Sequence, residues 1–293
     1  MTDAKVILIG AGGRLGAALT RECRRHFRLT TFDHTQIDLS DPREIHTKID
    51  DLDFKVLINA AAFTNVDLCE RERDQAFRIN AEAPRILAEI CQDKNARLIH
   101  FSTDYVFDGE KREPYTESDP ANPISVYGES KREGEKLVLQ THHQHLVVRV
   151  SWVFGPDRPS FIDAVIKRAR EREQVDAIAD KFATPTYTQD IAHAVLQLLL
   201  NPRATGILHF ANSGECSWQQ YAQWALDCCV SEGIALKAKS VGALKLADMK
   251  DWVARRPVYS VLSTDKYSVL TGDSPRAWRD AVADYIKRFY SQK

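Results

Sequence analysis

The chain has 293 residues, and its 40 Lys and Arg nearly balance its 41 Asp and Glu, for a formal net charge of −1. This length allows one large domain or two smaller ones, and the balanced charge provides no field that would recruit nucleic acid or an anionic membrane. We therefore expect a small-molecule ligand, with neither nucleic acid nor a membrane as partner.

Six cysteines are present without a C-x-x-C pair, namely Cys23, Cys69, Cys91, Cys216, Cys228 and Cys229. Chains of this size seldom depend on disulfides, so we expect reduced thiols, a cytoplasmic protein and no metal site. The start, "MTDAKVILIGAGG", contains only a short apolar run broken by glycine, which is too short for a signal-peptide core.

The first half of the chain alternates strand-like runs with helical-period stretches. The runs are "KVILIG", "RLTTFD", "KVLINAA", "RLIHFST" and "HLVVRVSW". Continuous apolar runs separated by helices are typical of parallel strands buried on both faces. The pattern predicts an α/β fold with a doubly wound parallel sheet.

A glycine-rich loop, with Gly10, Gly12, Gly13 and Gly16, follows the first strand and opens a helix. Such glycines allow a tight turn, a close approach of backbone N–H groups to a pyrophosphate, and close packing of helix on strand. The helix N-terminus also favours the negative charge of phosphates. We interpret the loop as a dinucleotide site; the alternative is a glycine-rich turn that binds nothing.

The second predicted strand ends at Asp33, where a carboxylate can hydrogen-bond the adenosine ribose hydroxyls. This position favours NAD over NADP. Arg14 and His34, however, could both face a 2′-phosphate, so the sequence leaves NADH and NADPH open. Asp33 could also be only a polar residue that ends a strand.

The segment "VYGESK" carries Tyr127 and Lys131, which lie on one face of a predicted helix. Composition alone predicts roughly half of one Tyr-x-x-x-Lys pair, so the motif is weak by itself. An ammonium beside a phenol should lower the phenol pKa from about 10 toward the working pH and suit it for acid–base catalysis. The alternative is an ordinary solvated helix weakened by Gly128 and Gly134.

The pattern changes after Trp152. Three helices are predicted there, in "RPSFIDAVIKRAREREQ", "QDIAHAVLQLLLNP" and "SWQQYAQWALDCCVSEG". We expect a dinucleotide-binding domain at 1–152, completed by parts of 185–212, and a smaller mixed α/β lobe at 153–293 that mainly binds substrate.

With the loop spaced G-x-x-G-x-x-G, followed by "NAAAFTNVD", "STDYVFDG" and "YGESK", the sequence resembles the extended short-chain dehydrogenase/reductases, which have a Rossmann-type fold. It is most similar to members that reduce the C4 ketone of nucleotide-activated 6-deoxy-4-keto sugars, forming dTDP-L-rhamnose from its 4-dehydro precursor. The resemblance covers nearly the whole chain, including "SWVFGP", "DKFATPT" and "RRP".

The resemblance implies NAD(P)H-dependent reduction and a role for each matching residue. The implied catalytic residues are Tyr127, Lys131 and Thr103. The implied cofactor-binding residues are Gly10, Gly12, Gly13, Arg14, Leu15, Gly16, Asp33, Asp38, Leu39, Ala61, Ala62, Phe63, Thr64, Tyr127 and Lys131. The implied substrate-binding residues are Thr103, Asp104 and Trp152, of which Trp152 could equally be a core aromatic. A homodimer is also implied.

Two alternatives remain to be weighed. Related dehydratases carry Asp-Glu after the strand-end threonine, whereas Tyr105 follows Asp104 here, so a base for proton removal is missing and dehydration is disfavoured. The beta subunit of methionine adenosyltransferase, a cofactor-binding regulatory subunit, retains similar motifs. Ala183 slightly favours such a regulatory role, because it replaces a glycine that is usual in the family and puts the course of the substrate loop in doubt.

Overall fold

The computed structural model describes residues 4–291. The strands in this range are β1 (Lys5–Ile9), β2 (Arg28–Phe32), β3 (Val56–Asn59), β4 (Arg97–Thr103), β5 (Leu146–Val150), β6 (Val153–Phe154), β7 (Val175–Ile178), β8 (Phe182–Ala183), β9 (Thr186–Tyr187), β10 (Gly206–His209), β11 (Cys216–Ser217) and β12 (Val241–Leu244). The helices are α1 (Arg14–Cys23), α2 (Pro42–Ile49), α3 (Val66–Arg71), α4 (Arg73–Phe77), α5 (Ala83–Asp93), α6 (Val126–Thr141), α7 (Phe161–Glu171), α8 (Thr188–Leu200), α9 (Trp218–Ser231), α10 (Asp265–Thr271) and α11 (Trp278–Phe289).

A six-stranded sheet with the order β10-β5-β4-β3-β1-β2 forms the centre of the protein. All of its neighbouring strands pair in parallel. The strand order changes direction at β1 and β3, and in open parallel sheets ligands bind at such a point, beyond the carboxyl ends of the strands. The predicted doubly wound parallel sheet is confirmed.

Helices cover both faces of this sheet. On one face, α1 and α8 bury Leu19 and Val195 against Val6 and Leu8 of β1. On the other face, α2, α5 and α6 pack against the alternate residues of β1 and their neighbours. Because both faces are buried, the strands need apolar residues at consecutive positions, which explains their unbroken apolar runs.

Residues beyond 152 contribute to both parts of the molecule. Helix α8 packs on α1, and β10 extends the central sheet by pairing with β5. The remaining segments build a second core from α7, α9 and α11 with the two-stranded pairs β7–β12, β6–β9 and β8–β11. These contacts support the proposed division at residue 152, which stays a prediction.

All six cysteines are buried and free. Across residues 4–291, none of the helices combines the length and the apolar character needed to cross a membrane.

Candidate active site

A cavity of about 780 Å³ opens beyond the carboxyl ends of β1 to β5. It brings together the predicted site residues Gly10, Gly12, Gly13, Arg14, Leu15, Asp33, Asp38, Leu39, Ala61, Ala62, Phe63, Thr64, Thr103, Asp104, Tyr127, Lys131 and Trp152. Gly16, which was also predicted to bind the cofactor, does not line this cavity. Residues spread over 143 positions of the chain, from Gly10 to Trp152, thus meet in one cavity because parallel strands end on one side.

The glycine loop is shaped for close contact with a ligand backbone. Gly10 has φ +88°, and a Cβ there would lie 2.6 Å from the Ala61 backbone nitrogen, so the site requires glycine. Helix α1 starts after Gly13 without a side-chain cap, which leaves backbone N–H groups at its N-terminus for an anion. A Cβ on Gly16 would overlap the Gly10 carbonyl oxygen, so Gly16 serves helix–strand packing. The loop fits the pyrophosphate of a dinucleotide.

Asp33 lies at the edge of this loop and is half-buried. Its Oδ1 accepts hydrogen bonds from the backbone nitrogen and the hydroxyl of Thr35, at 2.8 and 2.6 Å. The Thr35 hydroxyl contributes most to holding the Asp33 pKa below its ordinary value. The carboxylate is therefore ionised and available to accept from ribose hydroxyls.

Arg14 is held by the second lobe, and the expectation that it could face a 2′-phosphate stays a prediction. Its guanidinium donates to the carbonyl oxygens of Val153 at 3.0 Å, Arg158 at 3.1 Å and Pro159. Three of its five N–H groups thereby bind β6 and the segment after it, so Arg14 fastens the glycine loop to the second lobe. This role depends on contacts more than 130 positions away, which the sequence does not reveal.

Arg158 lines the cavity as well, although the sequence did not predict it as a site residue. Its Nε donates to the Gly12 carbonyl oxygen at 3.0 Å, and its side chain lines the cavity beside Asp33. A guanidinium in this place, partly free and next to the loop, is suited to a phosphate oxygen. Its position within "GPDRPS" offers no motif that could have indicated this.

The loop after β3 is held by Asn80, which lies in a π-helical turn between α4 and α5. The Asn80 side chain accepts from the Phe63 backbone nitrogen at 2.8 Å and donates to the Phe63 carbonyl oxygen at 3.0 Å. Its nitrogen also lies 3.1 Å from the Ser130 hydroxyl of α6. Asn80 thus ties the cavity wall at Phe63 to the helix that carries Tyr127.

Helix α6 is largely buried, so the alternative of a solvated surface helix is wrong. Ser125 caps it by accepting from the Gly128 nitrogen at 3.3 Å, and Glu70 accepts from the Val126 nitrogen at 2.8 Å. A Cβ on Gly128 would overlap the carbonyl oxygen of Tyr105. The glycine that weakens the isolated helix is therefore what allows α6 to approach the end of β4.

Lys131 is 1% exposed, and β4 fixes its ammonium. The Nζ donates to the Phe101 carbonyl oxygen at 2.7 Å and lies 3.3 Å from His100 Nε2. Burial lowers the pKa of Lys131 to about 8. The group is thus mainly an ammonium at neutral pH, and it is held rigidly at the cavity wall.

Tyr127 is buried beside Lys131, with its ring edge-on to Tyr105 at a centroid distance of 5.6 Å. Burial raises the pKa of Tyr127, and a hydrogen bond with the Thr103 hydroxyl opposes this rise. The expectation that the lysine would lower this pKa is wrong, because desolvation of the phenolate is the larger effect. The phenol stays protonated at neutral pH, which is the form that can donate a proton.

The substrate side of the cavity is built from Asp104 and Trp152. Asp104 is 2% exposed and accepts from the hydroxyls of Thr103 at 3.1 Å and Ser260 at 2.5 Å. Trp152 has φ +37°, a strained value for a bulky residue, and its Nε1 donor is buried without a partner. Strain combined with an unpaired donor at a cavity wall favours the ligand-binding interpretation of Trp152 over a core role.

The segment "DKFATPT" takes a regular course. Ala183 is fully buried in β8 and pairs with Cys216 of β11. The backbone of neighbouring Phe182 bonds to Val258 at 2.7 Å and Ser260 at 2.9 Å. Ala183 therefore gives no structural support to the regulatory alternative.

The arginine of "RRP" connects the two lobes beside the cavity. Arg256 donates to Asp67 of α3 at 2.6 and 3.1 Å, and its guanidinium stacks 3.8 Å from the Trp252 ring centroid. Asp67 also accepts from the backbone nitrogens of Val253 and Ala254. One carboxylate thus fixes the C-terminal loop to the first domain.

A glycine loop on a doubly wound sheet, together with a Thr–Tyr–Lys group at the end of β4 and on α6, defines an extended short-chain dehydrogenase/reductase. More specifically, the family described as "RmlD substrate binding domain" matches residues 4–291. The chain belongs to this family.

Similar proteins have been described in several bacteria. The dTDP-4-dehydrorhamnose reductase of Aggregatibacter actinomycetemcomitans is 32% identical, with 95% of this chain and 97% of that protein covered. The spore coat polysaccharide biosynthesis protein SpsK of Bacillus subtilis is 34% identical, with 97% of each chain covered. The solved dTDP-4-dehydrorhamnose reductase of Bacillus anthracis, in complex with NADP, has a TM-score of 0.91 at 29% identity, with 98% of this chain and 100% of that chain covered.

Proposed function

We propose that this protein reduces the C4 ketone of a nucleotide-activated 6-deoxy-4-keto sugar with NADPH or NADH, converting dTDP-4-dehydrorhamnose to dTDP-L-rhamnose. The observation that carries the proposal is the meeting of Thr103, Tyr127 and Lys131 with the glycine loop in one cavity. The relatives of this protein include several dTDP-4-dehydrorhamnose reductases of similar length, at 32–35% identity.

Each member of the Thr–Tyr–Lys group has a role that follows from its surroundings. The protonated Tyr127 phenol donates its proton to the oxygen of the ketone as negative charge develops there. The Phe101 carbonyl oxygen fixes Lys131. The Lys131 ammonium supplies positive charge near the ketone oxygen of the substrate and a hydrogen-bond donor for the nicotinamide ribose. Thr103 donates its own proton to Asp104 at 3.1 Å, so its oxygen faces the phenol as an acceptor and orients it.

The cofactor site has two parts besides the Thr–Tyr–Lys group. The N-terminus of α1 and the loop Gly10 to Gly13 would hold the pyrophosphate, and Asp33 and Asp38, which line the same cavity, would face the ribose and the adenine. When bound, the reduced nicotinamide supplies the hydride. The NADP complex of the Bacillus anthracis relative supports NADPH as one cofactor, and Arg158 offers this chain a partner for the extra phosphate.

The direct experiment mixes the purified protein with NADPH or NADH and dTDP-6-deoxy-L-lyxo-4-hexulose and follows the loss of reduced-nicotinamide absorbance. The wild type should oxidise the cofactor only when the keto-sugar is present. Tyr127→Phe should lower kcat by at least about 100-fold while NADP binding persists, because it removes only the proton donor.

Tyr267→Phe is the matched control. It also removes a hydroxyl from a buried tyrosine, but Tyr267 donates to Gln197 Oε1 and does not line the cavity. This variant should keep the wild-type rate. A Tyr127→Phe enzyme with full activity would contradict the proton-donor role, and a wild type inactive on every keto-sugar would contradict the reductase assignment.

We further propose that the protein is cytoplasmic and forms a homodimer. Its six free cysteines are compatible with a reducing compartment. Light scattering coupled to size-exclusion chromatography measures the mass directly. A value near 33.2 kDa, the mass of one chain, would contradict the dimer.

A further inference from the structure

Lys181 lies behind the substrate side of the cavity and has no exposed surface. It directly precedes β8, and its Nζ is buried without a hydrogen-bond partner. Leaving an ammonium in this state costs more than leaving any neutral donor, because the charge loses its hydration. The buried Lys181 ammonium therefore needs a stabilising interaction with its neighbours.

Aromatic rings surround the Lys181 ammonium. Nζ lies 5.2 Å from the ring centroids of Tyr105 and Trp152, and 5.8 Å from that of Trp218. Ring faces attract a cation weakly, and they also exclude water.

Ser260 connects the segments of Lys181 and Asp104: its backbone nitrogen donates at 2.9 Å to the carbonyl oxygen of Phe182, the residue after Lys181, and its hydroxyl donates to Asp104 Oδ2. The carboxyl group of Asp104 attracts the Lys181 charge, and the Arg256 guanidinium repels it.

Asp104 is a buried carboxyl group next to Tyr105 in the chain, and it contacts Thr103. Its Oδ1 accepts from the Thr103 hydroxyl at 3.1 Å, and its Oδ2 accepts from the Ser260 hydroxyl at 2.5 Å. Thr103 donates its proton to Asp104 and accepts from the Tyr105 backbone nitrogen at 3.2 Å, so its oxygen keeps one lone pair that can accept another hydrogen bond. The Tyr127 phenol lines the same cavity as Thr103, and the Thr103 hydroxyl acts on its pKa.

We propose that Lys181 is a positioning residue that acts through Asp104: the enclosed ammonium keeps this carboxylate ionised, and the ionised carboxylate fixes the direction of the Thr103 hydroxyl. The proposal rests on the reductase function proposed above, because Thr103 belongs to the catalytic Thr–Tyr–Lys group of that reaction. It assigns a role in the reaction to a residue that need not touch the substrate.

Protonation of Asp104 would reverse the direction of its hydrogen bond with Thr103. A neutral Asp104 carries its own proton and can donate it to Thr103. The Thr103 hydroxyl then turns away from Asp104 and competes with Tyr127 as a donor to the ketone oxygen. Burial raises the pKa of Asp104, and Lys181 opposes that rise more than either hydroxyl does. Without Lys181 the neutral form of Asp104 should therefore persist to higher pH.

The first test needs no substrate. Carboxyl ¹³C NMR of aspartate-labelled protein, with the Asp104 signal assigned by Asp104→Asn, gives the pH at which this carboxyl titrates. The titration should move to higher pH in Lys181→Met, which keeps the length of the side chain. Lys239→Met, at an exposed lysine, is the control and should leave the titration unchanged. An unmoved Asp104 titration in Lys181→Met would overturn the proposal.

The second test is a double-mutant cycle on kcat. Lys181→Met should lower kcat by about tenfold in the wild type, but by less than about twofold in Asp104→Asn, where no carboxylate remains to be influenced. The acidic limb of the kcat–pH profile should also shift to higher pH in Lys181→Met, with NADP affinity unchanged. Equal losses in both backgrounds would mean that Lys181 acts independently of Asp104.

The two tests separate failure of this inference from failure of the proposed function. A wild type that reduces no keto-sugar would remove the reductase assignment, whereas the Asp104 titration would still decide whether Lys181 controls that carboxyl. Thermal unfolding of each variant shows whether it folds. If Lys181→Met does not fold, Lys181→Gln, which keeps a polar donor without the charge, replaces it in both tests.

Discussion

Gly128→Ala tests whether the approach of α6 to the end of β4 controls catalysis. The new Cβ would overlap the Tyr105 carbonyl oxygen and lie 2.9 Å from Pro123 Cβ and 3.1 Å from the Tyr105 carbonyl carbon. Two of these three atoms are backbone, so a side-chain rotation cannot relieve the overlap. Overpacking of this kind costs about 3 kcal/mol.

The assay combines thermal unfolding with kcat. For a chain of this size, about 3 kcal/mol corresponds to a fall in Tm of roughly 6 °C. Because Tyr105 follows Thr103 and Tyr127 precedes Gly128, the displacement should also separate the phenol from Thr103 and lower kcat at least about tenfold.

Gly233→Ala is the control for this experiment. Gly233 has φ +72° but no atom within 4 Å of a Cβ, so alanine there costs only about 1 kcal/mol of backbone strain. It should lower Tm by roughly 2 °C and leave kcat unchanged. A Gly128→Ala protein with the Tm and kcat of the wild type would refute the claim of close packing.

Three further predictions concern the cavity wall. Trp152→Phe removes the unpaired Nε1 donor and should raise KM for the keto-sugar about tenfold with little change in NADP affinity, as steady-state kinetics and calorimetry can show. Because burial lowers the pKa of Lys131 to about 8 and the ammonium is the active form, kcat should fall as pH rises through about 8; a flat profile to pH 10 would contradict this role. Arg158→Met should weaken NADPH binding about tenfold and NADH binding less, and equal losses would place Arg158 away from the 2′-phosphate.

The parts of the fold and site that depend on local pattern were predictable from the sequence. Buried parallel strands need continuous apolar runs, and a glycine directly after such a run predicts a tight turn, which Gly10 makes with φ +88°. The spacing of Tyr127 and Lys131 fixes one helix face. The carboxyl ends of parallel strands then bring Thr103 and the glycine loop to the same cavity.

Features that depend on burial or on distant contacts were not predictable. The pKa of Tyr127 rises because residues from other segments desolvate it, which no local spacing indicates. Arg14 is committed to carbonyl oxygens more than 130 positions away, and Arg158 reaches the loop from the other lobe. The pattern of "DKFATPT" does not indicate a role for Lys181, because that role depends on the rings and the carboxyl group around it.

The most direct test of the central claim is the fate of the cofactor's hydrogen. The purified protein would be given the keto-sugar with reduced cofactor deuterated at the transferred position, and the product examined by NMR. The account predicts dTDP-L-rhamnose carrying deuterium at C4, formed by the wild type and not by Tyr127→Phe. Cofactor binding without any labelled product, together with recovery of a stoichiometric enzyme partner, would contradict it and favour a regulatory subunit.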